Sequence, residues 1–254
     1  RSNGKDITKA CTSNSLAELV PFLGKTALAE TTLICNYLYK IDFYIPLLKA
    51  DKMKLFFDIE TLPAGKESEQ AVKHLYQKYR QKGSSTLKNY NEFLRATSFD
   101  GAFGRIFCIG YAINNSAPQA LYSAREKEIL IQFWQLAQDA KLFIGHNVIN
   151  FDLPFIFQRS VIHKVKPSRT LVGSNCEKDA VFDTYKQWTS GSSCAKGGLD
   201  RLALAFNEPS SKTELDGSKV YNYYLDKKYK EIIDYCKKDV VLTRKIYERI
   251  TFAY

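Results

Sequence analysis

The sequence has 254 residues, of which 45% are hydrophobic and 13% aromatic, and this is enough for one substantial core or a core with a small appendage. Its formal charge of +10 and its pI near 9.2 favour a polyanionic partner such as nucleic acid, although a basic surface can equally serve solubility. The six cysteines form neither a C-x-x-C pair nor a dense framework, so we expect free thiols in a reducing compartment, the cytoplasm, and no structural zinc site.

The first 52 residues are expected to lie outside the main fold. The sequence begins with Arg1, and its only methionine, Met53, comes just before the first clear strand pattern, which favours a natural start at Met53. The apolar stretch at 31–49 is interrupted by two charged residues and a proline, so it predicts neither a membrane span nor a signal peptide. We therefore predict an extension at 1–52 and one main domain at 53–254.

The segment KLFFDIETLP at 54–63 predicts a buried strand that contains two acids. Alternate side chains of a strand share a face, so Asp58 and Glu60 should point the same way, roughly 7 Å apart along the chain. Two carboxylates aimed at one spot beside a core repel each other. Either they form a solvated strand end, or something binds between them.

Downstream of this strand the sequence alternates between strand and helix patterns. A charged segment at 66–95 is helix-like, and the apolar residues of 124–140 recur with helical spacing. The other predicted elements are strands at 104–114, 119–123 and 141–147, a helix at 151–162 with Pro154 in its first turn, a strand at 180–185 and mostly helix from 197 onward. Antiparallel strands followed by alternating strands and helices predict an α/β fold, in which helices cover the faces of a mixed sheet.

Three further polar side chains fall at places where they can meet the first pair of acids. Asp152 follows the predicted strand at 141–147, and Tyr235 and Asp239 lie four residues apart, on one face of the last predicted helix. Converging carboxylates repel each other unless cations neutralise them, and oxygen ligands with few histidines nearby suit Mg²⁺ or Mn²⁺. The sequence therefore predicts a divalent-metal site.

Together these segments resemble the three exonuclease motifs of the DEDD superfamily, which has the ribonuclease H-like fold. The motifs D-x-E, N-x3-F-D and Y-x3-D occur here as Asp58 to Glu60, Asn147 to Asp152 and Tyr235 to Asp239. The tyrosine marks the DEDDy branch, which includes the proofreading domains of family B DNA polymerases; the sister branch would carry a histidine at the position of Asp234. Residues 215–243 further resemble the stand-alone bacterial exonucleases described as polymerase-B-like. The resemblance implies a mixed five-stranded sheet flanked by helices, from residue 53 to about 252.

The resemblance implies a role for each motif residue in a reaction that uses two metal ions, Mg²⁺ or Mn²⁺. Asp58, Glu60 and Asp239 would hold one ion, and Asp58 would bridge to a second ion about 4 Å away, on which Asp152 acts through water. The ions would clamp the attacking and leaving oxygens at the terminal phosphodiester. Tyr235, together with Glu60, would orient the attacking water.

Five residues are candidates for contact with the substrate. By resemblance, the backbone at Thr61 and Leu62 would cradle the terminal nucleotide, and Asn147 and Phe151 would contact the penultimate sugar or base. Lys212, in SKTELDG, could touch a phosphate. Simpler roles stay open, because Asn often shapes a turn, Phe151 could belong to the core, and a lone lysine is usually a surface residue.

These features predict a 3′–5′ exonuclease that acts on the 3′ end of DNA, single-stranded DNA above all, in repair or in proofreading in trans. A main domain of about 200 residues leaves no room for a polymerase. We expect no membrane partner, and the sequence does not show which protein partners the chain has. Two alternatives stay open: a 3′–5′ exoribonuclease, and a catalytically silent nucleic-acid-binding module of the same fold. The first stays open because no motif indicates whether the protein contacts a 2′-hydroxyl, the group that distinguishes RNA from DNA. The presence of all four acids and the tyrosine favours the enzyme.

Overall fold

The structure is a computed structural model, and it describes residues 53–81, 83, 89–172, 180–190, 192, 195–211 and 215–253. The predicted extension at 1–52 and the candidate phosphate contact Lys212 lie outside the described residues, so both stay predictions. Two of the six cysteines, Cys108 and Cys236, are described, and both are free thiols, as the sequence predicts.

Five strands of the described part of the chain form one mixed sheet: β1 Lys54–Leu62, β2 Arg105–Ile113, β3 Gln119–Tyr122, β4 Leu142–Gly145 and β5 Val181–Asp183. The strand order is β3-β2-β1-β4-β5. The β3, β2 and β1 strands pair antiparallel, whereas β4 is parallel to both β1 and β5. This sheet confirms the predicted α/β fold of the ribonuclease H-like type and places β1, with its two acids, at the centre.

Helices connect the strands. Between β1 and β2 lie α1 Glu69–Gln81 and α2 Tyr90–Ala96, and the next two helices are α3 Glu126–Asp139 and α4 Asp152–Ile162. After β5 the described residues are mostly helical, as predicted, with α5 Thr184–Thr189, α6 Leu199–Ala205, α7 Val220–Leu225 and α8 Tyr229–Ile250. Within the described ranges, no helix has both the length and the apolar character that a membrane span requires.

The main difference from the predicted elements concerns residues 180–185. Only Val181–Asp183 is strand, and a helix begins directly after it. The Asp183 side chain accepts hydrogen bonds from the backbone N–H groups of Tyr185 and Lys186, and this capping ends the strand and starts α5.

The residues of β1 alternate between two apolar layers. Its odd-numbered residues, including Phe57, pack with α3 and α4, whereas Phe56 packs with Val240 of α8. Asp58 and Glu60 share the parity of Phe56, so they point to the face of the sheet that α8 covers. The strand pattern thus aims both acids at the last helix.

Candidate active site

Asp58 and Glu60 lie in the second half of β1, directly before a break in the strand pairing. Glu60 pairs with Cys108 but Thr61 pairs with Ile106, so β2 contributes one extra residue at this point. Irregularities of this kind are common near functional sites, because they change the direction of neighbouring side chains. Glu60 is buried and Asp58 is half-buried.

Helix α8 approaches the sheet closely because Gly110 lies opposite Asp58 on β2. A Cβ atom at Gly110 would lie 2.9 Å from the Cys236 sulfur and 3.1 Å from the Cys236 carbonyl oxygen, so a larger residue would push the helix away. Tyr235 and Asp239 are buried on the sheet side of the helix. The charge of Asp239 raises the pKa of Asp58, and the charge of Asp58 raises the pKa of Tyr235, so both residues lie close to Asp58.

Asp152 reaches the same site as the first residue of α4. Its Oδ1 atom accepts a hydrogen bond of 3.1 Å from the backbone N–H of Ile59, the residue between the two acids of β1. The side chain is 4% exposed. The structure therefore brings together the four predicted acids and the tyrosine, although their catalytic roles stay predictions.

The turn that leads into Asp152 is held by a residue that sequence reasoning missed, Asp183 at the end of β5. Its buried carboxylate accepts hydrogen bonds from four backbone N–H groups, those of Asn147 at 2.9 Å, Ile149 at 3.1 Å, Tyr185 at 3.0 Å and Lys186 at 3.1 Å. An aspartate directly before a helix is a familiar capping signal, and it could have identified half of this arrangement. The other half depends on the parallel pairing of β4 with β5, which brings the two loops together.

Asn147 has a structural role in that turn. It adopts a left-handed conformation with φ 62°, which asparagine tolerates better than most residues. Its Oδ1 atom accepts a hydrogen bond from Asn150, and its carbonyl oxygen accepts one from the N–H of Phe151. These contacts support the simpler expectation that Asn147 shapes the turn; a contact between Asn147 and substrate stays a prediction.

Of the other candidate substrate contacts, Thr61 and Leu62 have side chains in contact with the rest of the protein, and Phe151 is partly exposed at the surface. The Thr61 hydroxyl donates a hydrogen bond of 2.7 Å to the carbonyl oxygen of Ser98, and Leu62 is buried beside Tyr235. The protein thus already engages both side chains, which is consistent with a contact made by their backbone. Phe151 is half-buried, so part of its ring belongs to the core and part faces outward.

The acids of the site raise one another's pKa values. Burial is the largest cause for Asp58 and Glu60, whose pKa values lie well above their ordinary range, and the charges of the neighbouring carboxylates add to it. Burial also raises the pKa of Asp152 to about 7, against the lowering effect of the hydrogen bond from Ile59. No Lys, Arg or His of the described residues forms an ion pair with Asp58, Glu60 or Asp152. Within the part of the chain that the structure describes, the repulsion among these three acids has no compensating ion pair.

The donor set of the site fits a hard divalent cation. Ligand atoms of Asp58, Glu60 and Cys236 all lie within 4.8 Å of one another. Burial raises the pKa of the Cys236 thiol well above its usual value, and the protonated sulfur accepts a hydrogen bond of 3.2 Å from the N–H of Gly110. Mg²⁺ and Mn²⁺ prefer carboxylate oxygen to cysteine sulfur, so Asp58 and Glu60 are the candidate ligands of this group for such an ion.

Tyr235 supplies a neutral phenol beside these acids. Burial, followed by the charges of Asp239, Glu60 and Asp58, raises the pKa of Tyr235 far above its ordinary value. A hydrogen bond to Asp239 acts in the same direction. The hydroxyl can therefore donate a hydrogen bond near neutral pH, but it cannot serve as a base there.

Two protein families match the sequence. Residues 115–253 match the family described as predicted 3′–5′ exonuclease related to the exonuclease domain of PolB. Residues 39–182 match the family described as DNA polymerase family B, exonuclease domain. Each match covers more than half of the chain, and together they include all three motifs. No curated protein shows a significant match to the sequence.

The fold is similar to a much larger protein of known structure, the family B DNA polymerase from the hyperthermophilic archaeon Pyrobaculum calidifontis, with a TM-score of 0.53. The two sequences are 18% identical, so this likeness shows a shared fold alone. The matched part covers 78% of this chain but 24% of the polymerase chain, so the likeness concerns one portion of that enzyme.

Proposed function

This chain belongs to the family of 3′–5′ exonucleases related to the exonuclease domain of PolB, and we propose on that basis that it is an active nuclease of the DEDDy type. It removes nucleotides from the 3′ end of DNA, single-stranded ends above all, by metal-dependent phosphodiester hydrolysis, in repair or in proofreading in trans. The observation that carries the proposal is the group of Asp58, Glu60, Asp152 and Asp239 beside Tyr235, of which all but the half-buried Asp58 are buried. Such a group is costly to bury, and a silent binding module would have no use for it.

The carboxylates would hold two divalent ions, Mg²⁺ or Mn²⁺, with Asp58, Glu60 and Asp239 as direct ligands and Asp152 acting through water. Bound ions of this kind activate a water molecule and stabilise the charge that develops on the phosphate. The protein contributes by holding the carboxylates in fixed positions. The central strand fixes the two acids of β1 on one face, and the N–H of Ile59 holds Asp152 against that strand.

Tyr235 would orient the attacking water rather than deprotonate it. Its raised pKa keeps the hydroxyl protonated, so the oxygen carries a hydrogen that it can donate and a lone pair that can accept one. Glu60, on the adjoining strand, would share this role. The pair would thereby restrict the directions from which water reaches the phosphorus atom.

The overall charge of the sequence and the candidate substrate contacts suit a polynucleotide. The net charge of +10 favours a polyanion. The backbone at Thr61 and Leu62 would cradle the terminal nucleotide, Asn147 and Phe151 would contact the penultimate one, and Lys212 would meet a phosphate. The relation to exonuclease domains of DNA polymerases supports DNA as the substrate.

The test is single-turnover degradation of matched DNA and RNA oligonucleotides, labelled at either end, with Mg²⁺, Mn²⁺ or EDTA. We expect 5′-labelled DNA to shorten stepwise and 3′-labelled DNA to release a labelled mononucleotide in the first turnover. EDTA should abolish both reactions, and either metal should restore them.

Three results would contradict parts of the proposal. Cleavage that persists in EDTA would mean chemistry without metal ions. Faster degradation of RNA than of DNA would identify an exoribonuclease. Tight binding of oligonucleotides without cleavage under any metal condition would identify a silent binding module.

A further inference from the structure

Phe99 is an exposed aromatic residue at the edge of the site. It ends a short 3-10 helix, Thr97–Phe99, and its side chain is 73% exposed. Burying a phenylalanine side chain typically stabilises the folded state by about 1.5–3 kcal/mol, and a ring exposed to water does not contribute this stabilisation. Sequence reasoning gave no hint of it, because the residue belongs to none of the three motifs.

The ring of Phe99 borders two places that the proposed reaction assigns to the nucleotide. Its centroid lies 6.1 Å from that of Phe151, at an interplanar angle of 53°. On the other side, the carbonyl oxygen of the preceding residue, Ser98, accepts the hydrogen bond from the Thr61 hydroxyl. Phe99 therefore lies next to both the predicted cradle of the terminal nucleotide and the predicted contact to the penultimate one.

The segment that carries Phe99 is held in place from several sides. The Thr97 hydroxyl oxygen accepts a hydrogen bond of 2.9 Å from the N–H of Ala64, and the N–H groups of Phe103 and Gly104 donate to the carbonyl oxygen of Asp100. A buried arginine, Arg159, donates to the carbonyl oxygen of Gly101 at 3.3 Å.

Gly104 closes this segment tightly. A Cβ atom there would lie 2.4 Å from the Thr97 carbonyl oxygen and 3.0 Å from the ring of Phe155. The exposed ring is thus presented by backbone that is hydrogen-bonded and closely packed, so its exposure follows from a fixed position of the chain.

We propose that the ring of Phe99 stacks on one of the last two bases of the strand at the candidate site, and that Phe99 is therefore a substrate-binding residue. The proposal rests on the proposed function, since it assumes that a 3′ end lies at the acids. An aromatic face fits a nucleobase of any sequence, and stacking on such platforms contributes about 1–3 kcal/mol per base. A base inside a duplex is already stacked on both sides, so this platform favours a single-stranded or frayed 3′ end.

The first test compares Phe99→Ala with Phe252→Ala in single-turnover cleavage of a single-stranded DNA oligonucleotide. Phe252 is a matched control, because its side chain is 80% exposed but lies close to the end of the chain. We expect Phe99→Ala to raise the half-saturating concentration of substrate by roughly 5- to 100-fold, with little change in the rate at saturation, and Phe99→Trp to retain binding. Equal half-saturating concentrations for the Phe99→Ala and Phe252→Ala variants would overturn the inference.

A second test finds the base that the ring meets. The oligonucleotide is made with an abasic position at the 3′-terminal, penultimate or fifth nucleotide from the 3′ end. If the ring stacks on one of the last two bases, the penalty of Phe99→Ala disappears when that base is absent and persists when the fifth is absent. A penalty that is unchanged on the first two abasic substrates would show that the ring acts in another way.

Binding separates a failure of this inference from a failure of the proposed function. A catalytically impaired Asp58→Ala protein is titrated with fluorescent oligonucleotide, with and without Phe99→Ala. Loss of affinity in the double variant supports the stacking role even if the wild-type protein cleaves nothing. Cleavage by the wild-type protein together with unchanged affinity in the double variant would leave the proposed function in place and overturn the stacking role.

Discussion

Acidic side chains in two regions of this molecule have opposite surroundings. The carboxylate of Glu126 accepts hydrogen bonds from Arg159 Nε at 2.9 Å and Nη2 at 2.8 Å, and from the N–H of Ile106 at 2.7 Å. The Nε2 atom of His163 lies 2.8 Å from the same carboxylate. At the candidate site, three carboxylates meet without any such cation from the described residues.

The difference indicates where a charge serves the fold and where it serves chemistry. Burying a carboxylate is costly, and the fold compensates for it at Glu126 with a bidentate arginine. The same protein leaves Asp58, Glu60 and Asp152 with raised pKa values and mutual repulsion. A cation from solution would remove that repulsion, which is why we regard the first group as structural and the second as a metal site.

The largest effect is expected from Asp58→Ala. This substitution removes the acid that would contact both ions, so the single-turnover rate should fall on the order of 10⁴-fold or more, as when a group on which a whole site depends is lost. Binding of DNA should persist or strengthen, because negative charge leaves the cleft. The matched control is Asp234→Ala on α8. Asp234 forms surface ion pairs with Lys230 and Lys237 at 2.6 and 2.8 Å, and losing such pairs costs little stability. Similar rates for the two variants would end the metal-site interpretation.

The structural group should respond in stability. In Arg159→Met, Glu126 loses its bidentate partner while it stays buried, so the free energy of unfolding should fall by about 3–5 kcal/mol. Urea denaturation at neutral pH measures this loss. Arg125→Met is the control, because the Arg125 side chain is 80% exposed in its pair with Glu128, and surface pairs contribute about 0–1 kcal/mol. If both variants lost equally little, the contrast between the two groups of acids would be wrong.

Tyr235→Phe tests whether the site contains a group that acts by position rather than by charge. The ring and the four carboxylates stay, and one hydroxyl is deleted, so the rate should fall by only about 10- to 10³-fold, the usual cost of one positioning or stabilising contact. Single-turnover cleavage of a 3′-terminal nucleotide at saturating Mg²⁺ measures it. A loss as large as that of Asp58→Ala would show that the phenol does more than orient water.

Much of the fold and the site could be predicted because the relevant signals are local in sequence. The alternation of β1 placed Asp58 and Glu60 on one face, and the four-residue spacing placed Tyr235 and Asp239 on one face of α8. These periodicities act through the backbone itself, and the structure follows both. The mixed sheet was predicted from the order of strand and helix patterns.

What could not be predicted depends on contacts between distant residues. Nothing near Gly110 in sequence shows that Cys236 will approach it, and nothing near Glu126 shows that Arg159 will neutralise it. The exposure of Phe99 is of the same kind, since an isolated phenylalanine is normally expected in the core. Each of these features appears only when the sheet order is known.

The smallest predicted effect is a pH-dependent difference in the stability of the metal-free protein. Asp152 has a pKa of about 7 in the folded state, above its ordinary value of 3.8, because it is buried. Between these values the folded state binds more protons than the unfolded state, so the contribution of Asp152 to stability declines as the pH rises from about 4 to 7. Asp152→Asn removes this titration while its amide oxygen can still accept the hydrogen bond from Ile59.

His146 must be separated from this effect, because its sign is opposite. Burial lowers the pKa of His146 from 6.5 to about 4, so the folded state binds fewer protons in that interval and its contribution rises with pH. Since both proteins contain His146, the difference between wild type and Asp152→Asn removes the contribution of His146 and leaves that of Asp152 together with its effect on the pKa values of Asp58 and Glu60. In EDTA, we expect the variant to gain stability relative to wild type by on the order of 1–3 kcal/mol between pH 5 and pH 8. Adding Mg²⁺ or Mn²⁺ at pH 8 should reverse that gain, because the ion stabilises the wild-type carboxylate cluster more than the variant. A difference that does not change with pH or with metal would mean that Asp152 is not part of an uncompensated cluster.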